Sequence, residues 1–459
     1  MKKIITVRYP HYYKEFSCTG SRCEDTCCAS WGVSIDPVSL KRYQCVKGKF
    51  GRRLRESIDT RTGSFIQRDG RCPFLNRENL CDMYTCLGEK SLCRTCRDFP
   101  RHMEDYGPLR EVTLSLACPE AARLILGTGR RGEDESAGKT EAKGKTEAKG
   151  KTKAKGKTEA EDNTERLNNV KTAAPEYYIR RKAVEDKKGR KRADSGVDTH
   201  LLRQLIKVRE AFYTILSWEG VEMEVRMAVI LTLAHDAEKR LKNGRKDSLE
   251  RLLARYTLPE NRERLLSLFH PYKGGAGERQ RDSLMCLYLE LTGTLEPVSP
   301  RWKEMAGKYA EVLYGGNTGD AEHSAQNQEL SRSELQKKLK HVYSFIDSDM
   351  EKLMKYFLYT YVLGAVYDGQ LLTAVKMALF SCLVIREADL GILKETGSFT
   401  KEDQIETAHL WSRQLEHSDY NLKKMERLVR RHEALGMKQM LICLLAGIHP
   451  TFYSGSTAG

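Results

Sequence analysis

The sequence predicts a mainly α protein in three parts: a small, irregular, cysteine-rich metal-binding N-terminal domain, a disordered Lys/Gly/Glu linker, and an α-helical C-terminal domain. Three observations predict it. Eleven of the 14 cysteines lie in residues 1–118. From Arg130 to about Asp198 the chain is dominated by Lys, Glu, Ala, Gly and Thr, with few large apolar residues. Beyond that tract, apolar residues recur at helical spacing through most of the remaining chain. The parts are bounded as residues 1–127, 128–198 and 199–459.

Lys and Arg outnumber Asp and Glu by 78 to 63, a formal net charge of +15. Such an excess suits an acidic partner, but much of it sits in the linker, so the ordered parts are less basic and no nucleic-acid partner is expected. The first residues, MKKIITVRYPHYYKEFSC, lack the apolar stretch of a secretory signal. The longest apolar run, in HEALGMKQMLICLLAGIHP, falls short of the roughly twenty residues needed to span a bilayer. It reads as a last core helix, with peripheral contact at a membrane surface as the alternative. A cytoplasmic, reducing location follows, where structural disulfides rarely persist.

Within the linker a six-residue unit repeats from Gly138, Gly144, Gly150 and Gly156. Its Gly-Lys-Thr ends resemble a phosphate-binding loop, but the glycine spacing is one residue too long and no apolar strand precedes it. A segment this poor in apolar side chains cannot offset its chain entropy. In the C-terminal part, HLLRQLIKVREAFYTILSWEG places Leu201, Leu202, Leu205, Ile206, Phe212 and Ile215 at helix-face spacing and stops at Gly220. Similar stretches follow, with sparse proline and almost no strand-like alternation. Cys286, Cys382 and Cys443 lie in these apolar helical surroundings and read as small buried hydrophobes.

The N-terminal cysteines carry the chemistry. FSCTGSRCEDTCCASW contains Cys18, Cys23, Cys27 and Cys28, and CPFLNRENLCDMYTCLGEKSLCRTCRDFPRH contains Cys72, Cys81, Cys86, Cys93 and Cys96. Cys118 follows, and Cys45 stands apart. Thiolates this dense suit zinc or iron–sulfur centres. The adjacent Cys27 and Cys28 are awkward for a single tetrahedral zinc, because neighbouring side chains point apart. Cluster ligation tolerates irregular spacing, so an iron–sulfur centre is favoured over zinc or purely structural thiols.

The blocks FSCTGSRCEDTCCASWGVSID, CPFLNRENLC, SLCRTCRDFPR and LSLACPEAARLIL resemble the flagellin lysine-N-methylase family, part of a wider group of cysteine-rich domains described as zinc or iron chelators. YTYVLGAVYDG and LEHSDYNLKKMERL resemble weaker blocks of the same family. The resemblance implies a cytosolic enzyme that uses S-adenosylmethionine to methylate lysine ε-amines of flagellin, together with a [4Fe-4S] cluster, zinc being the alternative. The family pattern falls on Cys18, Cys23, Cys27, Cys28, Cys72, Cys81, Cys96 and Cys118, leaving out Cys45, Cys86 and Cys93. The eight thiols could serve two centres, or one centre with four supporting cysteines.

Other residues have two readings each. Arg97 and Arg101 could bind the carboxylate of S-adenosylmethionine through a guanidinium fork, or pair structurally. Trp31 is expected to cover the metal centre, and Asp25 to shape a substrate pocket. His11, Tyr12 and Tyr13 could reach the centre or serve only in packing. The basic stretch GRRLRESIDTRTGSFIQRDGR reads as a solvated face, with docking of an acidic protein as the alternative. No catalytic residue is assigned. The usual CxxxCxxC loop of radical enzymes that use S-adenosylmethionine is missing, since Cys28 directly follows Cys27. Two other functions remain open: a metal-stapled interaction module without turnover, and an iron–sulfur electron-transfer or sensor protein.

Overall fold

A four-stranded sheet underlies the N-terminal region, where the sequence predicted only irregular structure. The computed structural model describes residues 2–127, 177–185, 197–243, 248–272, 277–315 and 330–448. Strand Lys2–Pro10 pairs in parallel with Leu109–Leu114, Thr6 opposite Leu109 and Arg8 opposite Glu111. Leu109–Leu114 pairs antiparallel with Arg101–Tyr106 through a tight turn, where Gly107 adopts φ 68°. On its other side Lys2–Pro10 pairs antiparallel with Tyr177–Glu185 over nine positions.

That last strand lies inside the stretch expected to be linker. The expectation came from composition averaged over a long window, which hides a nine-residue segment, YYIRRKAVE, with aromatic and β-branched residues. The rest of the expected linker, residues 128–176 and 186–196 with the Gly-Lys-Thr repeat, lies outside the described residues.

A small core fills the cysteine-rich region. Asp36 caps helix Pro37–Gln44 by accepting the Ser39 N–H at 3.0 Å, with Pro37 at the first helical position. Tyr43 from that helix and Leu54 from helix Gly48–Glu56 pack on Val33, Ile35, Phe65, Phe74, Cys72 and Cys93. The main core is continuous between the two halves, joining Tyr106, Leu109, Leu116 and Ile125 to the helical residues. A buried ion pair reinforces the junction: Arg209 of helix Thr199–Leu216 donates to both Glu111 carboxylate oxygens, at 2.6 and 2.7 Å.

The C-terminal part is helical, as predicted. Its axis is the 26-residue helix Leu371–Thr396, packed against Ile346–Tyr361, Pro300–Tyr314 and Met223–Lys242. Helix Pro300–Tyr314 approaches closely because residue 391 is glycine: a Cβ there would lie 2.3 Å from Tyr309 Cγ. Gly397 in the left-handed region (φ 74°) stops the long helix. Thr400 and Asp403 then form a capping box that starts helix Lys401–Glu416, which carries much of the site described below. The apolar run near the end becomes helix Met437–Leu445, buried from Met440 to Leu445. Among the described residues no helix is long and apolar enough to cross a membrane. Cys382 and Cys443 are buried; Cys286 is half-buried, its Sγ 3.7 Å from Glu290.

Candidate functional site

The eight family-pattern cysteines fall into two neighbouring sets, and the adjacent Cys27 and Cys28 belong to different ones. Cys18, Cys23 and Cys118 cluster with Cys27. Cys72, Cys81 and Cys96 cluster with Cys28. Cys93, outside the family pattern, is buried in the second set and hydrogen-bonds Cys96. Cys45 and Cys86 are exposed and belong to neither.

Two thiol pairs each share a proton. A hydrogen bond from Cys27, helped by Thr26 and the Arg413 and Arg71 charges, brings Cys28 down to about 7. The same bond, with burial and nearby thiols, pushes Cys27 well up. Cys93 is likewise lowered to about 7 by a hydrogen bond from Cys96, whose own pKa rises. Burial pushes Cys72 and Cys118 up to about 12.

The backbone prepares these sulfurs for negative charge. Cys81, Cys93 and Cys118 each stand at the residue before a helix begins. Nearby amides favour the charged sulfurs, those of Met83 and Tyr84 at Cys81, Thr95 and Cys96 at Cys93, and Glu120 and Ala121 at Cys118, although burial outweighs them at Cys81 and Cys118. Amide donors of this kind stabilise thiolates. The donor chemistry therefore fits a thiophilic metal or cluster. As the thiols stand, no three Cys, His, Asp or Glu side chains among the described residues are close enough together to hold one metal ion.

One helix fastens the first cysteine loop. Glu402, His409, Arg413 and Glu416 lie on one stripe of helix Lys401–Glu416, because intervals of seven, four and three residues return to nearly the same face. His409 Nε2 lies 3.0 Å from Asp25 Oδ2, and Arg413 pairs with Asp25 Oδ1 at 3.0 Å. The Arg413 guanidinium also donates to the carbonyls of Asp25, Thr26 and Ala29, at 3.3, 2.9 and 2.7 Å. Glu402 reaches Arg123 at 2.8 Å, and Arg123 also binds Glu24. Asp25 is thus a structural anchor as well as a neighbour of the thiols.

Aromatic rings continue this contact. The Trp31 indole N–H donates to the Cys27 carbonyl at 2.6 Å. Its ring stacks on His417 at 4.6 Å, and Phe99 meets the same imidazole edge-on at 5.2 Å. Trp31 therefore covers the Cys27 loop from the helical side. Tyr12 and Tyr13 pack with Phe16 and Phe99 around Leu114 and Cys118. Burial holds His409 and His417 neutral, each with a pKa near 3. Both ring nitrogens of His417 are buried without hydrogen-bond partners among the described residues.

A cavity of about 260 Å³ opens beside the first set, lined by Cys18, Arg22, Cys23, Glu24, Glu120 and Arg123. Its lining carries both signs of charge. Neither arginine singled out from the sequence is among its lining residues: the Arg97 guanidinium pairs with Asp98 at 3.2 Å, and Arg101 lies over the Tyr13 and Phe16 rings.

Sequence reasoning missed Glu416, His409 and Arg413. Their signal was a polar stripe at helical spacing on a helix that is buried along most of its length.

Residues 209–443, just over half of the chain, match the family model described as the FliB lysine N-methylase C-terminal domain. The chain belongs to the FliB lysine N-methylase family. It is 35% identical over 133 residues to the flagellar biosynthetic protein FliU of Salmonella muenchen, a match covering 27% of this chain and 79% of that protein. The same identity over 133 residues holds for the lysine-N-methylases of Salmonella typhimurium strain LT2 and Salmonella choleraesuis strain SC-B67. Those two matches span only 33% of each relative. No solved structure matches the chain. The FliB match takes in the helix that carries the stripe, so the clamp on the cysteine loop joins the matched helical region to the cysteine-rich one.

Proposed function

We propose that this FliB-family protein is a protein-lysine N-methyltransferase that acts on flagellin, with S-adenosylmethionine as methyl donor and an iron–sulfur centre held by the cysteine-rich region. One observation carries the reading. The Cys27 set and the mixed-charge cavity share one neighbourhood in a chain of this family, and Arg413 of helix Lys401–Glu416 fastens the loop that carries Cys27. The cavity supplies guanidinium groups for a carboxylate and carboxylates for an ammonium, which are the two ends of the donor's amino-acid portion. Arg22 lines the cavity and is the arginine we assign to the donor in place of Arg97 and Arg101.

When bound, an iron–sulfur centre would supply redox chemistry or a docking point beside the donor, and zinc would supply a fold staple. Cys18, Cys23, Cys27 and Cys118 are the residues proposed for the centre next to the cavity. The reaction takes place in the reducing cytoplasm, where these thiols stay free.

Transfer of labelled methyl from S-adenosylmethionine to purified flagellin tests the reading. The anaerobically prepared protein is expected to label lysines, and iron matched by sulfide is expected on metal analysis. Stoichiometric zinc without iron would remove the cluster, and absence of labelling would remove the methyltransferase.

A further inference from the structure

Helix Lys401–Glu416 ends on a carboxylate surrounded by hydroxyls. The Tyr356 and Tyr361 hydroxyls each donate to Glu416 at 2.9 Å, and the Ser412 hydroxyl donates to it as well. Among the described residues no Lys or Arg forms an ion pair with it; the positive group it senses is His102, itself paired with Glu104 at 2.9 Å. Glu416 is half-buried.

Two short routes lead from this carboxylate to the Cys27 set. Tyr356 accepts the Leu116 N–H at 3.0 Å, two residues before Cys118. On the other side, His417 stacks on Trp31, which is bonded to the Cys27 carbonyl. Three neutral donors around an anion in a desolvated place leave a net charge that an incoming cation would balance.

We propose that Glu416 receives the ε-ammonium of the substrate lysine and removes its proton. The inference rests on the methyltransferase reading above. The N–H bond breaks and an O–H bond forms on Glu416. The freed nitrogen lone pair then forms the new C–N bond as the S–CH3 bond of the sulfonium donor breaks, and the donor leaves as a neutral thioether. The amine must be neutral for this attack, and a partly desolvated carboxylate is a stronger base than one in water. The groups facing Glu416 are Tyr356 and Tyr361 from helix Ile346–Tyr361, Ser412 from its own helix, and His102 with Glu104 from strand Arg101–Tyr106. Glu426, on helix Asp419–Arg431, lies next beyond Tyr361.

Steady-state methylation of flagellin by wild type and Glu416→Gln decides the matter. The variant is expected to lose about 10²-fold in kcat at neutral pH, the scale of general-base catalysis. Its rate should climb with pH as free lysine deprotonates, while binding of labelled S-adenosylmethionine and thermal stability hold. Equal kcat in the two proteins overturns the assignment and leaves the methyltransferase reading intact; a wild type that labels nothing overturns both. If Glu416→Gln fails to fold, Tyr361→Phe serves instead. Removing one donor from the carboxylate should move the acid limb of the kcat profile to higher pH, and an unmoved limb counts against the proposal.

Discussion

His409 Nε2 and Asp25 Oδ2 lie 3.0 Å apart across 384 residues of sequence. Through that contact and Arg413 beside it, the helical half of the chain holds the first cysteine loop in place. The imidazole is neutral, since burial and the neighbouring guanidinium keep its pKa near 3, so the contact is a hydrogen bond to a carboxylate whose charge is balanced by Arg413.

Arg413 is 2% exposed and makes three bonds to backbone carbonyls besides its pair with Asp25. Arg413→Ala should cost about 3 kcal/mol, the scale for breaking a buried ion pair by removing one partner. Denaturant unfolding gives the total. Hydrogen exchange should show faster opening of residues 23–31, and equal exchange in both proteins would count against the clamp.

The two buried histidines set an acid limit. Their folded pKa values, near 3, lie below the ordinary histidine value of 6.5, so between those pH values the unfolded chain binds more protons than the folded one. Their contribution to stability is therefore fully present above pH 6.5 and declines as pH falls toward 3. Asp25 acts in the opposite sense in the carboxylate range, because burial raises its pKa despite Arg413. Melting temperature should hold from pH 8 to 7 and fall below 6.5, and His409→Asn should flatten that slope.

Cys93 is bonded to Cys96 in the second thiol set although the family pattern omits it. Cys93→Ser should lower the metal content of anaerobically prepared protein as far as Cys96→Ser does. Cys45→Ser and Cys86→Ser, at exposed positions outside both sets, should leave it unchanged. Metal and sulfide analysis of the four variants reads this directly.

Gly391 lets Tyr309 cross the central helix at contact distance. Gly391→Ala would force the aromatic ring away and should destabilise the fold by about 1–3 kcal/mol, the usual cost of overpacking. Helix propensity alone would predict a gain, so the sign of the change in unfolding free energy separates the two effects.

The helical half was legible in the sequence because its signals are local: periodic apolar faces, glycine stops such as Gly397, and the cap at Thr400. The cysteine zone was legible from thiol density. The division of Cys27 from Cys28 was raised only as an alternative, because side-chain direction at adjacent residues depends on the whole loop. The Asp25–His409 and Tyr356–Glu416 contacts were not legible at all. Each joins residues far apart in sequence, and neither residue of a pair carries a local mark of its partner. Arg97 and Arg101 were conspicuous by charge, yet one pairs with Asp98 and the other lies over aromatic rings.

Strand Tyr177–Glu185 has a practical consequence for dissecting the molecule. It lines one side of Lys2–Pro10 along nine positions, so the first strand of the cysteine-rich region is completed by residues that come after Gly127. A fragment cut at the compositional boundary would present Lys2–Pro10 as a bare edge with unmatched amides and carbonyls, a surface inclined to self-association. Expression of the metal-binding part alone should therefore extend past Glu185, or supply that strand as a separate peptide.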